Sequence, residues 1–179
     1  VGDSNRLAFT AAQRIAQTDC PRSFSPLVIH GACGLGKTHL LQGIAQHARE
    51  AGGGRAVVYT TAEAFTNEYI NALRASRLEA FRRSYRAVKL LCIDDVQFFS
   101  NKQATQSGLL HTFDAIDLEG ARIVLASDEH PRAVRKFSSA LVSRFMAGMV
   151  VRLDAPEPAL RQRIVLHIAL NRGLRLEPA

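Results

Sequence analysis

The chain has 179 residues, 47% of them hydrophobic and 22% charged, the balance of one globular domain able to bury roughly 70% of its unfolded surface. No apolar run approaches the ~18 residues a membrane span needs and no signal peptide opens the sequence, so no integral membrane segment and a cytoplasmic location are expected. The net charge of +7 comes from 19 arginines and four lysines, and three cysteines without paired spacing argue against a disulfide framework. A basic surface suits a polyanion, but Arg- and Ala-rich usage also follows from GC-rich coding, so charge alone leaves nucleic-acid binding open.

Apolar runs alternate with helical patterns along the whole chain, as in a parallel sheet with crossover helices. The first strand is predicted at Leu27–His30 and runs into Gly31, with Gly36, Lys37 and Thr38 following. That spacing is G-x-x-x-x-G-K-[ST], a phosphate-binding loop between a strand and a helix. Its chemistry needs these residue types. Glycines let successive N–H groups face phosphate oxygens, and a helix N-terminus adds partial positive charge. Lys37 would reach the β- and γ-phosphates and the Thr38 hydroxyl would ligate Mg²⁺. Cys33, inside the loop, reads as a size-tolerant position, and Cys92, in an apolar run, as a core residue. The helix after the loop is predicted from Lys37 to Glu50, ended by Gly52, Gly53 and Gly54.

A second strand is expected at Ala56–Thr60, and two helices then stand where one would suffice. Thr60 to Glu63 and Ser76 to Glu79 both read S/T-x-x-E, a capping box. Phe65, Tyr69, Ile70 and Leu73 recur at helical spacing, as do Leu78, Phe81 and Tyr85. The third strand, Val88–Ile93, delivers Asp94 and Asp95 after an apolar run. Two adjacent buried carboxylates are costly without a cation, which points to Asp94 in a Mg²⁺ shell and Asp95 orienting an attacking water. A helix over Gln103 to Leu118, ended near Gly120, leads to a fourth strand at Arg122–Ala126. Ser127 and Asp128 follow that strand, where a polar group could read a γ-phosphate. Arg144 is alone in an apolar helix, either a finger for a neighbouring subunit's nucleotide or a rim arginine with its stem on the core. A fifth strand, Met149–Leu153, precedes a helix from Pro158 to Gly173.

Phosphate loop, paired acids, polar strand end and late arginine, in that order, resemble the AAA+ ATPases. The stretches NRLAFTAAQRIAQ and TTAEAFTNEYINALRASRLEAFRRSYRAVKLLCIDDVQFFSNKQATQ narrow this to a resemblance to the ATPase domain of the DnaA family of bacterial chromosomal replication initiators. The resemblance implies an α/β P-loop core with a five-stranded parallel sheet and a helix pair inserted between strands 2 and 3. It implies that Gly34, Leu35, Gly36, Lys37, Thr38 and His39 bind the phosphates of ATP or ADP, that Asn5 and Arg6 help frame the adenine, and that Thr38 and Asp94 hold Mg²⁺. Asp95, Asp128 and Arg144 fall at the water-orienting, sensing and finger positions, and Ile70 and Lys102 near a single DNA strand. Implied partners are origin DNA, further copies of the chain, and a replicative helicase or regulators. Residues 1–179 would form the core and the start of a lid, without the lid remainder or a helix-turn-helix domain. The chain departs from the family pattern at Ala140 and Ala104, where the family usually carries arginine. A DnaA-like regulator or helicase loader, and a DNA-binding scaffold with a vestigial nucleotide site, remain alternatives.

Overall fold

The computed structural model describes residues 1–17, 19–51 and 56–174. Five parallel strands form one sheet: β1 (Leu27–His30), β2 (Val57–Thr61), β3 (Leu90–Asp94), β4 (Arg122–Ser127) and β5 (Met149–Arg152), in the order β2-β3-β4-β1-β5. The helices are α1 (Arg6–Ala16), α2 (Lys37–Ala51), α3 (Ala62–Arg74), α4 (Leu78–Arg86), α5 (Gln103–Leu118), α6 (Ser139–Phe145) and α7 (Pro158–Asn171). The expected five-stranded α/β architecture and the helix pair between β2 and β3 are both present.

The sheet is covered on both faces, which is why its central strands read as continuous apolar runs. Leu27, Ile29, Leu90, Cys92, Val124 and Ala126 pack under α1 and α2. The alternate residues Val28, Leu91, Ile93, Ile123 and Leu125 meet Phe65, Phe81, Phe99, Phe113 and Phe145 on the other face. Cys92 is fully buried, as its run implied.

Strand limits differ from the sequence reading by one or two residues, each for a pairing reason. β3 starts at Leu90 because the N–H groups of Lys89 and Leu90 both turn to the Ala56 carbonyl, and it extends to Asp94 through its register with Thr61 of β2. β2 accordingly runs from Val57 to Thr61, not from Ala56 to Thr60. β4 gains Ser127 through pairing with His30. β5 ends at Arg152, although the Leu153 N–H still donates to the His30 carbonyl. Helix α2 reaches Ala51, and the glycine stop expected at 52–54 lies outside the described residues.

Neither expected capping box forms. Thr61, not Thr60, caps α3, its hydroxyl accepting the Ala64 N–H at 3.1 Å. At the second, Ser76 adopts a left-handed conformation (φ 54°) and closes α3 instead of opening α4. The Ser76 N–H donates to Leu73 and the Arg77 N–H to Ala72, a Schellman ending that normally takes glycine. Helix α1, which periodicity had not delimited, is tied to the start of β4 by Arg122, whose guanidinium donates to the Ile15 and Gln17 carbonyls.

Candidate functional site

The loop from Gly31 to Gly36 joins β1 directly to α2, whose first helical residue is Lys37. Gly34 and Gly36 have φ of 81° and 90°, a region L side chains rarely adopt, so the turn depends on glycine at both. Gly31 is needed for space: a Cβ there would lie 2.3 Å from the Leu153 carbonyl oxygen. The open side of the loop is clear, with no atom within 4 Å of a Cβ built at Gly34 or Gly36. Thr38 and His39 are exposed beside it and Leu35 is half-buried.

Lys37 is only 6% exposed, and its charge is matched locally. Its ammonium lies 2.8 Å from Asp128 Oδ1 and donates to the Ala32 carbonyl at 2.9 Å. The Ser127–Asp128 strand end lies beside the loop strand, since β4 pairs with β1. A buried lysine bridging a carboxylate and a loop carbonyl is preorganised for an anion that can displace either.

On the next strand Asp94 is buried, its Oδ2 accepting the Tyr59 hydroxyl at 3.1 Å and its Oδ1 the Asp95 N–H at 2.9 Å. Burial and the neighbouring Asp94 carboxylate raise the Tyr59 hydroxyl above its usual range, so it remains a donor. Asp95 turns sharply (φ 56°), taking the chain from β3 into a short 3-10 turn over Val96–Phe99. Two residues that sequence reasoning missed belong to this cluster. Tyr59 pairs with Cys92 and its hydroxyl reaches diagonally to Asp94, two residues further along β3, a contact that no local signal encodes. Gln97 bridges Asp95 and Asp128, and its place three residues after Asp94 was its only sequence trace.

The donors suit Mg²⁺. Thr38 offers a hydroxyl, and each Asp94 oxygen accepts one bond, leaving lone pairs free. A hard ion held by one or two protein oxygens, phosphates and water needs no larger cluster. Accordingly, no group of three or more His, Cys, Asp or Glu side chains among the described residues is arranged for a metal.

His30, half-buried just before the loop, packs edge-on against His130 with ring centroids 5.0 Å apart. Burial, His130 and Arg152 push its pKa below the usual histidine value, and Asp154 offsets them in part. The N-terminal segment reaches the same edge of the site. Asp154 N–H donates to the Ser4 carbonyl and the Ser4 hydroxyl to Glu157. Asn5 caps the Gly2 N–H, while Arg6 is exposed and paired with Asp3.

The remaining candidates lie elsewhere. Ile70 on α3 is half-buried, next to Tyr69, whose ring covers Gly108 of α5, and Lys102 is the half-buried N-cap of α5. Arg144 sits at the opposite end of the sheet from the loop. It lines a cavity of about 310 Å³ with Arg22, Ser25, Pro26 and Asp117, and its guanidinium pairs with Asp117 at 3.1 Å and Asp114 at 3.5 Å. The four residues of β1 separate Pro26 from the loop by roughly 13 Å, so Arg144 does not face its own chain's loop.

A parallel 2-3-4-1-5 sheet with a glycine loop on β1, a buried acid ending β3 and a polar end on β4 defines the P-loop ATPase core of the AAA+ kind. Residues 1–152 match the family described as the bacterial DnaA ATPase domain, and the chain belongs to that family. It is 39% identical over 176 residues to the chromosomal replication initiator protein DnaA of Francisella tularensis subsp. novicida, covering 98% of this chain and 36% of that protein. The chain thus spans little more than a third of that relative. Domain III of the Thermotoga maritima replication initiation protein DnaA superposes with a TM-score of 0.93 at 36% identity, over 99% of this chain and 73% of that one. A replication initiator DnaA bound to AMPPCP and single-stranded DNA superposes with a TM-score of 0.90 at 34% identity, over 99% and 54%. Among the described residues no helix is long and apolar enough to cross a membrane.

Proposed function

We propose that the chain is the nucleotide-switched assembly domain of a bacterial chromosomal replication initiator, acting in the cytoplasm. The observation that carries this reading is the buried Lys37 held between Asp128 and the Ala32 carbonyl at the mouth of a glycine loop. A triphosphate entering the loop takes Lys37 from Asp128, and Gly34 to His39 line its path. Thr38 and Asp94 would hold Mg²⁺, which would supply positive charge against the phosphates. Asn5 and Arg6, joined to the loop edge through Ser4 and Asp154, frame the base. The similarity to a protein bound to AMPPCP supports ATP and ADP as ligands.

Hydrolysis forms a bond from a water oxygen to the γ-phosphorus and breaks the β–γ bridging P–O bond, with the electron pair leaving on ADP. Asp95 orients that water and takes its proton, while Asp128 senses the γ-phosphate. Aspartate reaches one methylene less far than glutamate, which favours slow turnover suited to a switch. Because Arg144 lies at the far end of the sheet, it serves a neighbouring copy's nucleotide, and ATP-dependent self-assembly follows. The inserted helices, with Ile70 and Lys102, contact a single strand of origin DNA, a reading supported by the relative bound to single-stranded DNA. Such a filament would present the whole protein to a replicative helicase or regulators. Residues 1–179 comprise the nucleotide-binding core and, with α7, the start of a lid.

Isothermal titration with ATP and ADP tests the centre of this reading. Lys37→Ala is expected to weaken both by about 100-fold, since one or two charge-assisted bonds to phosphate are lost. Full affinity in that variant would sink the phosphate assignment. Single-strand affinity should differ between the ATP and ADP states and fall with log salt by about 0.7 per phosphate contact.

A further inference from the structure

Gln97 stands between the ends of β3 and β4 and makes three bonds there. Its amide nitrogen donates to Asp95 Oδ1 at 3.0 Å and to Asp128 Oδ2 at 3.0 Å, and its amide oxygen accepts the Asp128 N–H at 3.3 Å. Chemistry fixes this orientation. Ionised carboxylates only accept, so the nitrogen must face both; a flipped amide would set its oxygen against two carboxylates and its NH₂ against an N–H. Among the described residues no other side chain bonds the Asp95 carboxylate, and the other oxygen of Asp128 is the one held by Lys37. The chain is continuous: Lys37, Asp128, Gln97, Asp95.

We propose that Gln97 is a positioning residue that couples the occupancy of Lys37 to the placement of Asp95. The inference rests on the loop being a triphosphate site. When a phosphate takes Lys37, Gln97 becomes the remaining side-chain donor to Asp128. One planar amide then sets both carboxylates relative to each other and offsets their mutual repulsion. Asp95 is held by this bond at a left-handed turn and has no side-chain capping role, so its direction toward a water depends on Gln97. Gln97 itself touches neither phosphate nor water; it acts through the two acids.

The test is single-turnover hydrolysis of trace ATP with the protein in large excess, alongside calorimetric ADP affinity. It compares wild type, Gln97→Ala, Gln97→Glu (nearly isosteric but without donors) and Lys37→Ala. Both Gln97 variants should keep ADP affinity within about threefold and lose at least about tenfold in hydrolysis rate, an effect on turnover and not on binding. Placed on an Asp128→Asn background, Gln97→Ala should cost less than about threefold more, because residues acting as a unit are not additive. Hydrolysis within twofold of wild type in both Gln97 variants, with Lys37→Ala still weakening binding about 100-fold, would overturn the role of Gln97 and leave the site reading standing. A parallel loss of ADP affinity would also overturn it, reducing Gln97 to support of the loop. If wild type neither binds nor hydrolyses ATP, the site reading falls and this inference with it.

Discussion

At one end of the sheet Lys37 is buried against Asp128; at the other Arg144 is held by Asp114 and Asp117. Both are cations parked on carboxylates, but their surroundings differ. Lys37 is 6% exposed and its partner's second oxygen is engaged by Gln97, so the pair belongs to a network with few alternatives. Arg144 is 27% exposed and its two aspartates more than half exposed, so water can replace either contact at little cost. The first arrangement suits a ligand that enters a fixed cradle. The second suits a group that must leave its own chain to meet a neighbour.

Substitutions can break this contrast. Arg144→Ala should leave the nucleotide affinity of dilute protein unchanged yet lower the hydrolysis rate of assembled protein by about 10³-fold, the range for trans-acting arginines. Equal hydrolysis rates at high protein concentration would show that Arg144 is only a rim residue. Gly36→Ala should act at the loop end alone. With φ at 90° the added Cβ strains the turn, and nucleotide affinity measured by calorimetry should fall about tenfold, matching a strain of roughly 1–2 kcal/mol. Asp117→Asn frees one contact of Arg144 and should shift the unfolding free energy by less than ~1 kcal/mol. The same variant should lower the protein concentration needed for ATP-dependent assembly, and a larger loss of stability in denaturant titration would contradict the picture of a loosely parked arginine.

A smaller effect lies in pH. The folded state holds His30 below its ordinary value of 6.5, facing His130, Arg152 and Asp154. Neutral His30 is thus favoured by folding, and its contribution is present above about pH 6.5 and lost as pH falls through the lowered folded value. Denaturant titrations between pH 7.5 and 5 should show a shallower decline for His30→Gln than for wild type. Identical slopes would assign the decline to other groups.

Much of this was legible without a structure. The limits of β1 and α5 and the two glycine stops at Gly120 and Gly173 follow from runs, periods and turn chemistry that neighbouring residues decide among themselves. So do the loop and the acid pair, because a phosphate cradle and a buried strand end are local patterns. Capping was less legible. Both boxes matched in sequence, yet Thr61 and the left-handed Ser76 took over, since the register of β2 against β3 and the packing of α3 on α4 decided where each helix begins. What only tertiary structure decided is who meets whom. The β2–β3 register sets Asp94 opposite Thr61, within reach of the long Tyr59 side chain two residues back, and the β4–β1 pairing brings Asp128 beside the loop of Lys37. With Gln97 between β3 and β4, these contacts join residues far apart in the chain. Side-chain types set by local patterning fix what each position can do, but parallel pairing through long crossovers carries no local signal of its partner.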